Sequence, residues 1–169
     1  DKVAVNVHPD AGFVRDPNCF NALFQGIALR TAPDFAHAYE EARAFGRVLT
    51  KRGKGGGLMK NLMEQRVCSS RVAGLNTATT LLAGRQVQEE TEDDETELEI
   101  QTDAERAALE GLIAALNGLS DDPKLRAIRY YLNAEGWLDL GCIIFSQYHD
   151  TARWVADSLA AELPGEVIG

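Results

Sequence analysis

Four consecutive apolar residues, Cys142-Ile143-Ile144-Phe145, mark the point where the sequence changes character. The run includes β-branched residues and no alternating polar positions, which is typical of a strand covered on both faces in a parallel sheet. After it, Ala152, Val155 and Leu159 recur at helical spacing, and a second apolar run begins at Glu166-Val167-Ile168. The order strand, helix, strand predicts a βαβ unit.

The residues before this unit favour helices. Asp122-Pro123 places an N-cap before proline at the first helical position, and Leu125, Ile128 and Leu132 follow on one face. Further upstream, Thr102-Asp103-Ala104-Glu105 is a capping box ahead of another apolar stripe. Both stretches are therefore predicted to be amphipathic helices.

Two more helical stretches are predicted in the first half of the chain. One begins at Pro33-Asp34 and runs to about Thr50, with apolar residues at alternating spacings of three and four. The other resumes at Leu58, after the hinge at residues 51–57, where four glycines in five positions oppose helix formation. Its apolar stripe is interrupted, so a kink or break is expected between Ser69 and Gly74.

The predicted fold class is mainly α with a C-terminal α/β piece. Residues 1–100 are expected to form a helical region, with the hinge at 51–57 and an acidic linker at 87–100. Residues 101–169 are expected to hold further helices and the incomplete start of a parallel sheet. A short strand at Val3–Val7 and a short helix after Asp16-Pro17 complete the prediction.

Charge is distributed unevenly along the chain. The 26 acidic and 17 basic residues give a net charge of −9, which as an average argues against nucleic-acid binding. Eight of the acids lie in residues 89–99, and the remainder of the chain is close to neutral. From Arg43 to Arg71 there are eight bases and one acid, Glu64. The acidic run repels itself and has no apolar face, so we expect a solvated linker there.

Composition also bears on the compartment. An apolar content of 45% is enough to bury a core, and no apolar run approaches the roughly 20 residues that span a bilayer. The three cysteines fit neither a disulfide framework nor a CxxC half-site. We therefore expect a cytoplasmic protein without membrane contact, excised from a longer chain.

Motifs for catalysis and cofactor binding are missing from the sequence. The glycine-rich hinge lacks the Walker pattern GxxxxGK[ST], and neither GxSxG nor HExxH occurs. The histidines His8, His37 and His149 have no metal-ligand spacing. No catalytic residue, metal or cofactor is predicted for this chain, and a small stand-alone enzyme would require a pocket around His149, Asp150 and Arg153.

Two groups of residues are candidates for binding. Around the predicted helix break, Lys60, Arg66, Ser69, Ser70 and Arg71 supply donors suited to phosphate oxygens. The alternative is a solvated helical face whose bases pair with the acidic run.

The second candidate group is Ser146-Gln147-Tyr148, which follows the predicted buried strand. Ligands of open α/β sheets bind beyond the carboxyl ends of strands. The alternative is an ordinary strand-to-helix turn in which Asp150 or Ser146 caps the helix.

Several of these segments together resemble one protein family. The residues DPKLRAI at 122–128, GCIIFSQY at 141–148 and DTA at 150–152 resemble the start of the second RecA-like lobe of Swi/Snf-type superfamily two helicases. In that family a D-x-K-L helix precedes the motif IV strand. The stretch 62–82, with Arg66 and Ser69-Ser70, resembles the R-x-x-SS helical segment between the motor lobes of the bacterial RapA-like branch.

The resemblance implies a fragment of an ATP-dependent DNA helicase or translocase. ATP and Mg²⁺ would bind in the parent protein, because the motifs for phosphoryl transfer are not in this chain, which is not expected to hydrolyse ATP alone. The implied partners are DNA and the rest of the motor. Ser146, Gln147 and Tyr148, with Gln147 foremost, and the basic residues near the break are implied to contact the nucleic-acid backbone. The alternative is a helical protein-interaction module with no nucleic-acid role.

Overall fold

A computed structural model of the protein describes residues 32–51, 56–85 and 99–168, and the regular structure in these ranges is helical. The helices are α1 Pro33–Thr50, α2 Gly56–Ser69, α3 Arg71–Leu82, α4 Asp103–Asn117, α5 Pro123–Asn133, α6 Trp137–Leu140 and α7 His149–Glu162. The prediction of a mainly α protein is confirmed. None of these helices is long and apolar enough to cross a membrane.

Three predicted features lie outside the described residues. They are the strand at Val3–Val7, the helix after Asp16-Pro17 and nearly all of the acidic linker. Within the described ranges, the chain divides into two compact units between Asp122 and Pro123. The predicted division lay at residue 100, whereas the first unit also includes α4.

The first unit, Ala32–Asp122, packs α1 to α4 around one apolar core. Helix α1 packs against α2 and α4, and α3 packs against the same two helices. The core side chains are fully or almost fully buried, and the largest of them are Phe45, Leu49, Met59, Met63, Leu81, Leu109, Leu112 and Leu116. They recur every three or four residues along their helices, so each helix buries one face.

The ends of α1 and α4 follow local capping rules. Pro33 starts α1, and the Asp34 carboxylate accepts hydrogen bonds from Phe35 N at 2.8 Å and from Ser120 Oγ at 2.9 Å. Thr102 caps α4 by accepting from Glu105 N at 3.1 Å, and the Glu105 carboxylate accepts in return from Thr102 N. The predicted capping box is confirmed.

Helix α2 begins at Gly56, two residues before its predicted start. A Cβ atom added to Gly56 would lie 2.2 Å from the carbonyl oxygen of Leu49, whereas one added to Gly57 would meet nothing within 4 Å. The end of α1 thus approaches the first turn of α2 so closely that only glycine fits at position 56. The last two glycines of the predicted hinge, Gly56 and Gly57, are thus helical and form the first turn of α2.

The predicted break in the second helical stretch is confirmed. Helix α2 ends at Ser69, and Ser70 has an extended backbone with φ −163° and ψ 162° before α3 begins at Arg71. A β-region N-cap interrupts helical geometry and starts a new helix.

The second unit is described from Pro123 to Ile168 and has a smaller core. Leu125 and Leu132 of α5 are buried with Val155 and Leu159 of α7. The Arg129 guanidinium also donates to the Glu162 carboxylate, with Nε 2.8 Å from Oε2. Both predicted helices of this unit, α5 and α7, are present.

The two predicted strands of this unit do not form within the described residues. The chain at 141–146 and at 166–168 is neither helix nor strand. Ile143, Ile144 and Phe145 are 60%, 43% and 69% exposed, and Val167 is fully exposed. A strand needs a neighbouring strand to bond its backbone groups, and the described ranges supply none. The structure thus confirms the helical part of the predicted fold but not the α/β piece.

Candidate nucleic-acid interface

The helix break holds most of the basic candidate group, and Ser70 and Arg71 there make hydrogen bonds within the protein. Ser70 is 1% exposed, and its Oγ accepts a hydrogen bond from Ala73 N at 3.0 Å. The hydroxyl therefore satisfies one of the free N–H groups at the start of α3. It is not accessible to a phosphate in this structure.

Arg71, the first residue of α3, donates to two acceptors within the protein. Arg71 N donates to Asp122 Oδ2 at 3.1 Å, and Asp122 is 5% exposed. The Arg71 guanidinium donates to the Leu119 carbonyl oxygen at 3.1 Å. A carboxylate is stabilised at a helix N-terminus just as a phosphate is. Asp122 thus occupies the position that the sequence suggested for an external anion.

Two further candidates lie beside the break. Arg66 is half-buried and its backbone carbonyl accepts from Ser70 N at 3.2 Å, which completes the last turn of α2. Ser69 is also half-buried. The structure therefore brings Arg66, Ser69, Ser70 and Arg71 together at the junction of α2 and α3, where Arg71 bonds Asp122.

Lys60 is separated from this group, because it lies in the second turn of α2, at the opposite end of the helix. Its aliphatic stem packs on α1: a Cβ atom added to Gly46 would lie 2.5 Å from Lys60 Cγ and 3.2 Å from Cδ. Gly46 is flanked on α1 by the exposed bases Arg43 and Arg47. The structure thus groups Lys60 with two residues that were not selected from the sequence.

The one acid in the basic stretch is turned inward. Glu64 Oε1 is buried and makes no hydrogen bond within the described residues. The pKa of Tyr39 is raised, first because burial disfavours the phenolate and then because the acidic groups of Cys68 and Glu64 lie close to it. The Glu64 carboxylate of α2 thus lies close to Tyr39 of α1, and its negative charge contributes to the raised pKa of the Tyr39 phenol.

The second candidate group, Ser146-Gln147-Tyr148, forms a compact turn before α7. Ser146 Oγ accepts from Tyr148 N at 3.2 Å and lies 3.0 Å from Tyr148 O, to which it donates. Tyr148 is the N-cap residue of α7, and its side chain makes no capping hydrogen bond. Gln147 is exposed, and its amide makes no hydrogen bond within the described part of the chain.

The residues that a small stand-alone enzyme would require, His149, Asp150 and Arg153, lie at the start of α7. His149 and Arg153 are exposed, and Arg153 lies 4.0 Å from Asp157. A shallow open groove of about 440 Å³ lies between α1 and α4, lined by Asp34, His37, Glu41, Gly111, Ala114, Ala115 and Gly118. Within the described ranges no group of three or more His, Cys, Asp or Glu side chains is placed to hold a metal ion.

The accessible parts of the candidate interface therefore include the surface around Lys60 in the first unit and Gln147 in the second. The sequence signal for the first was the stretch from Ala42 to Met63, which has six bases and no acid. Comparisons of this chain with protein-family models, with curated proteins and with solved structures found no match.

Proposed function

We propose that the chain is part of an ATP-dependent DNA helicase or translocase of the Swi/Snf type. In this proposal the chain contributes sequence-independent contacts to the DNA backbone and couples the motor lobes, while ATP and Mg²⁺ bind elsewhere in the parent protein. The first unit corresponds to the inter-lobe helical region. The second unit corresponds to the start of the second RecA-like lobe, in which Cys142–Phe145 would pair with further strands.

The observation that supports this proposal best is the exposed apolar segment beside an exposed amide. Ile143, Ile144 and Phe145 are adjacent, large and exposed, and folded proteins seldom leave such a patch uncovered. A neighbouring strand would cover these side chains and satisfy the backbone. Gln147 follows directly, at the end of that segment, where a sheet of this kind presents its ligand-binding residues.

Duplex binding by the whole chain tests this proposal. We expect a labelled 25-base-pair DNA of mixed sequence to bind at 50 mM salt, with an affinity that falls steeply by 200 mM salt because phosphate contacts release counterions. Gln147→Ala should weaken binding two- to fivefold, whereas Gln101→Ala, which removes another exposed amide, should leave it unchanged. Fluorescence anisotropy measures both affinities.

The exposed segment also favours a second candidate, the helical protein-interaction module. In that case Ile143 to Phe145 would contact a partner protein, and the resemblance of the following residues to a helicase motif would be coincidental. Absent or salt-insensitive duplex binding by a folded chain would support this candidate and contradict the DNA proposal.

A further inference from the structure

A row of basic side chains follows one side of α1. Arg43, Arg47 and Lys51 recur every four residues, so neighbouring bases are about 6 Å apart along the helix axis. All three are exposed. Lys51 is the C-cap residue and keeps helical dihedral angles, φ −71° and ψ −14°, so it continues the row. We call these three residues the basic row.

Lys60 extends the basic row onto a second helix. Its stem covers Gly46, which lies between Arg43 and Arg47 in the chain and is itself buried. A long basic side chain that buries its methylene groups keeps its ammonium group in water. A side chain at position 46 would occupy the place of that stem, since a Cβ there would lie 2.5 Å from Lys60 Cγ. The glycine therefore permits a base of α2 to lie beside the bases of α1.

The basic side chains of this surface outnumber the acidic ones that act on them. Arg43 donates to Glu40 Oε1 at 2.9 Å and also interacts with the charge of Glu64, so its own charge is partly compensated. Arg47, Lys51 and Lys60 make no ion pair within the described ranges. No acid occurs between Ala42 and Met63, and the next one, Glu64, has a buried oxygen. The described residues of this surface therefore carry more positive than negative charge, although the chain as a whole is negative.

We propose that the basic row and Lys60 bind the phosphate backbone of duplex DNA. This proposal rests on the proposed function and gives it a location other than the helix break, where Asp122 already occupies the N-terminus of α3. A line of cations at regular intervals suits the regular phosphates of a nucleic-acid strand. The exposed positions of α1 from Arg43 onward are Arg43, Arg47 and Thr50, with Lys51 after them, and they include none of the aromatic anchors on which protein partners depend.

Two matched double variants of the whole chain test this location. Arg47→Gln with Lys51→Gln removes two charges from the basic row. Arg85→Gln with Arg106→Gln removes two exposed charges elsewhere in the same unit. Lys60→Gln is a third variant, which keeps most of the stem over Gly46. Anisotropy with the 25-base-pair duplex is measured from 50 to 200 mM salt, and circular dichroism checks that each variant is folded.

We expect the row variant to lose roughly 10- to 100-fold in affinity near 100 mM salt and the slope of log K against log salt to fall by about two. Lys60→Gln should lower the slope by about one, and the control variant should match the wild type. If the DNA affinity of the wild type falls steeply with salt but the row and control variants have equal affinities, the location is wrong while the proposed function stands.

Two other results would also overturn the inference. Absence of wild-type binding at 50 mM salt would reject both the location and the proposed function. For the second result, the affinity for polyglutamate with the same total charge as the duplex is measured beside the affinity for DNA. Tighter binding of polyglutamate than of DNA, lost in the row variant, would identify the basic row as a surface for acidic proteins.

Discussion

Phe45 in the first unit and Phe145 in the second experience opposite environments. Phe45 is 0% exposed in the core of α1 to α4, whereas Phe145 is 69% exposed after a run of three other apolar residues. Both residues belong to strongly apolar patterns in the sequence. A helix satisfies its own backbone and needs only one covered face, while a strand needs another strand as well. The comparison shows that an apolar stretch of sequence becomes buried only where other apolar elements pack against it.

The largest effect we expect comes from exchanging these two phenylalanines for alanine. Phe45→Ala should cost about 3 to 5 kcal/mol of unfolding free energy, because it leaves a cavity in a closed core. Phe145→Ala should change the free energy by less than about 0.5 kcal/mol. Urea denaturation of each variant measures both values. Equal losses would mean that Phe145 is buried and that the contrast between the units is wrong.

Spectroscopy can assign the unfolding to a unit. Trp137 and Trp154 are the two tryptophans of the chain, and both lie in the second unit. Circular dichroism reports on the helices of both units. We therefore expect Phe45→Ala to lower the midpoint seen by circular dichroism more than the midpoint seen by tryptophan fluorescence.

A smaller but sharper effect is expected at the start of α2. Gly56→Ala should destabilise the first unit by about 1 to 3 kcal/mol, because the new methyl group would overlap the Leu49 carbonyl. Gly57→Ala is the matched control, because its position is open, and it should stabilise α2 by up to about 1 kcal/mol. Thermal denaturation followed at 222 nm compares the two. A neutral Gly56→Ala would contradict the close approach of α1 and α2.

The next effect concerns the carboxylate at the N-terminus of α3. Asp122→Ala should cost about 1 to 2 kcal/mol, since Arg71 N would lose its acceptor in a nearly buried position. Asp122→Asn keeps an acceptor oxygen and should cost less. Urea denaturation of the two variants separates the hydrogen bond from the charge. Equal costs would assign the effect to charge alone.

The smallest effect we expect is on the acid dependence of stability. Hydrogen bonds from Ser120 lower the pKa of Asp34 in the first unit, and a hydrogen bond from Arg129 lowers the pKa of Glu162 in the second. A lowered pKa in the folded state gives stability that is present above the unfolded pKa and is lost as pH falls through the folded pKa. Stability should thus hold from pH 7 to about 5 and decline below about 4.

Variants without these carboxylates test the acid dependence. Asp34→Asn and Glu162→Gln should each reduce the acid-induced decline in the unit that carries the residue. Asp139→Asn, an exposed acid on α6, should leave the decline unchanged. Denaturation midpoints measured between pH 3 and pH 7 provide the comparison. An unaltered decline in Asp34→Asn would show that its hydrogen bonds with Ser120 do not matter for stability.

The sequence predicted those features whose causes lie within a few residues. The capping box at Thr102 and Glu105, the start of α1 at Pro33 and the break at Ser70 all depend on neighbours one to four positions away. The contact between Arg71 and Asp122 spans 51 positions, and no local sequence pattern predicts it. For the same reason Ser70 and Arg71 were expected to be accessible to phosphate.

The grouping of basic residues depends on packing in the same way. The charge of the stretch from Arg43 to Arg71 could be counted in the sequence, but not which bases share a surface. Glycine at position 46 lets Lys60 cross α1, and this contact joins bases that are 13 to 17 positions apart. The strand at Cys142–Phe145 was predicted from its composition, which carries no information about a pairing partner.

The bond between Asp122 and Arg71 also has a mechanical consequence. Asp122 is the last residue of the first unit, so any tension on the chain from Pro123 onward acts on it first. Its carboxylate is tied to the first residue of α3, and the side chain of that same residue is tied to the Leu119 carbonyl. Pulling would load these two bonds together before it could peel Leu119 from the core. The two hydrogen bonds of Arg71 thus hold the last residues of the first unit in place against a pulling force.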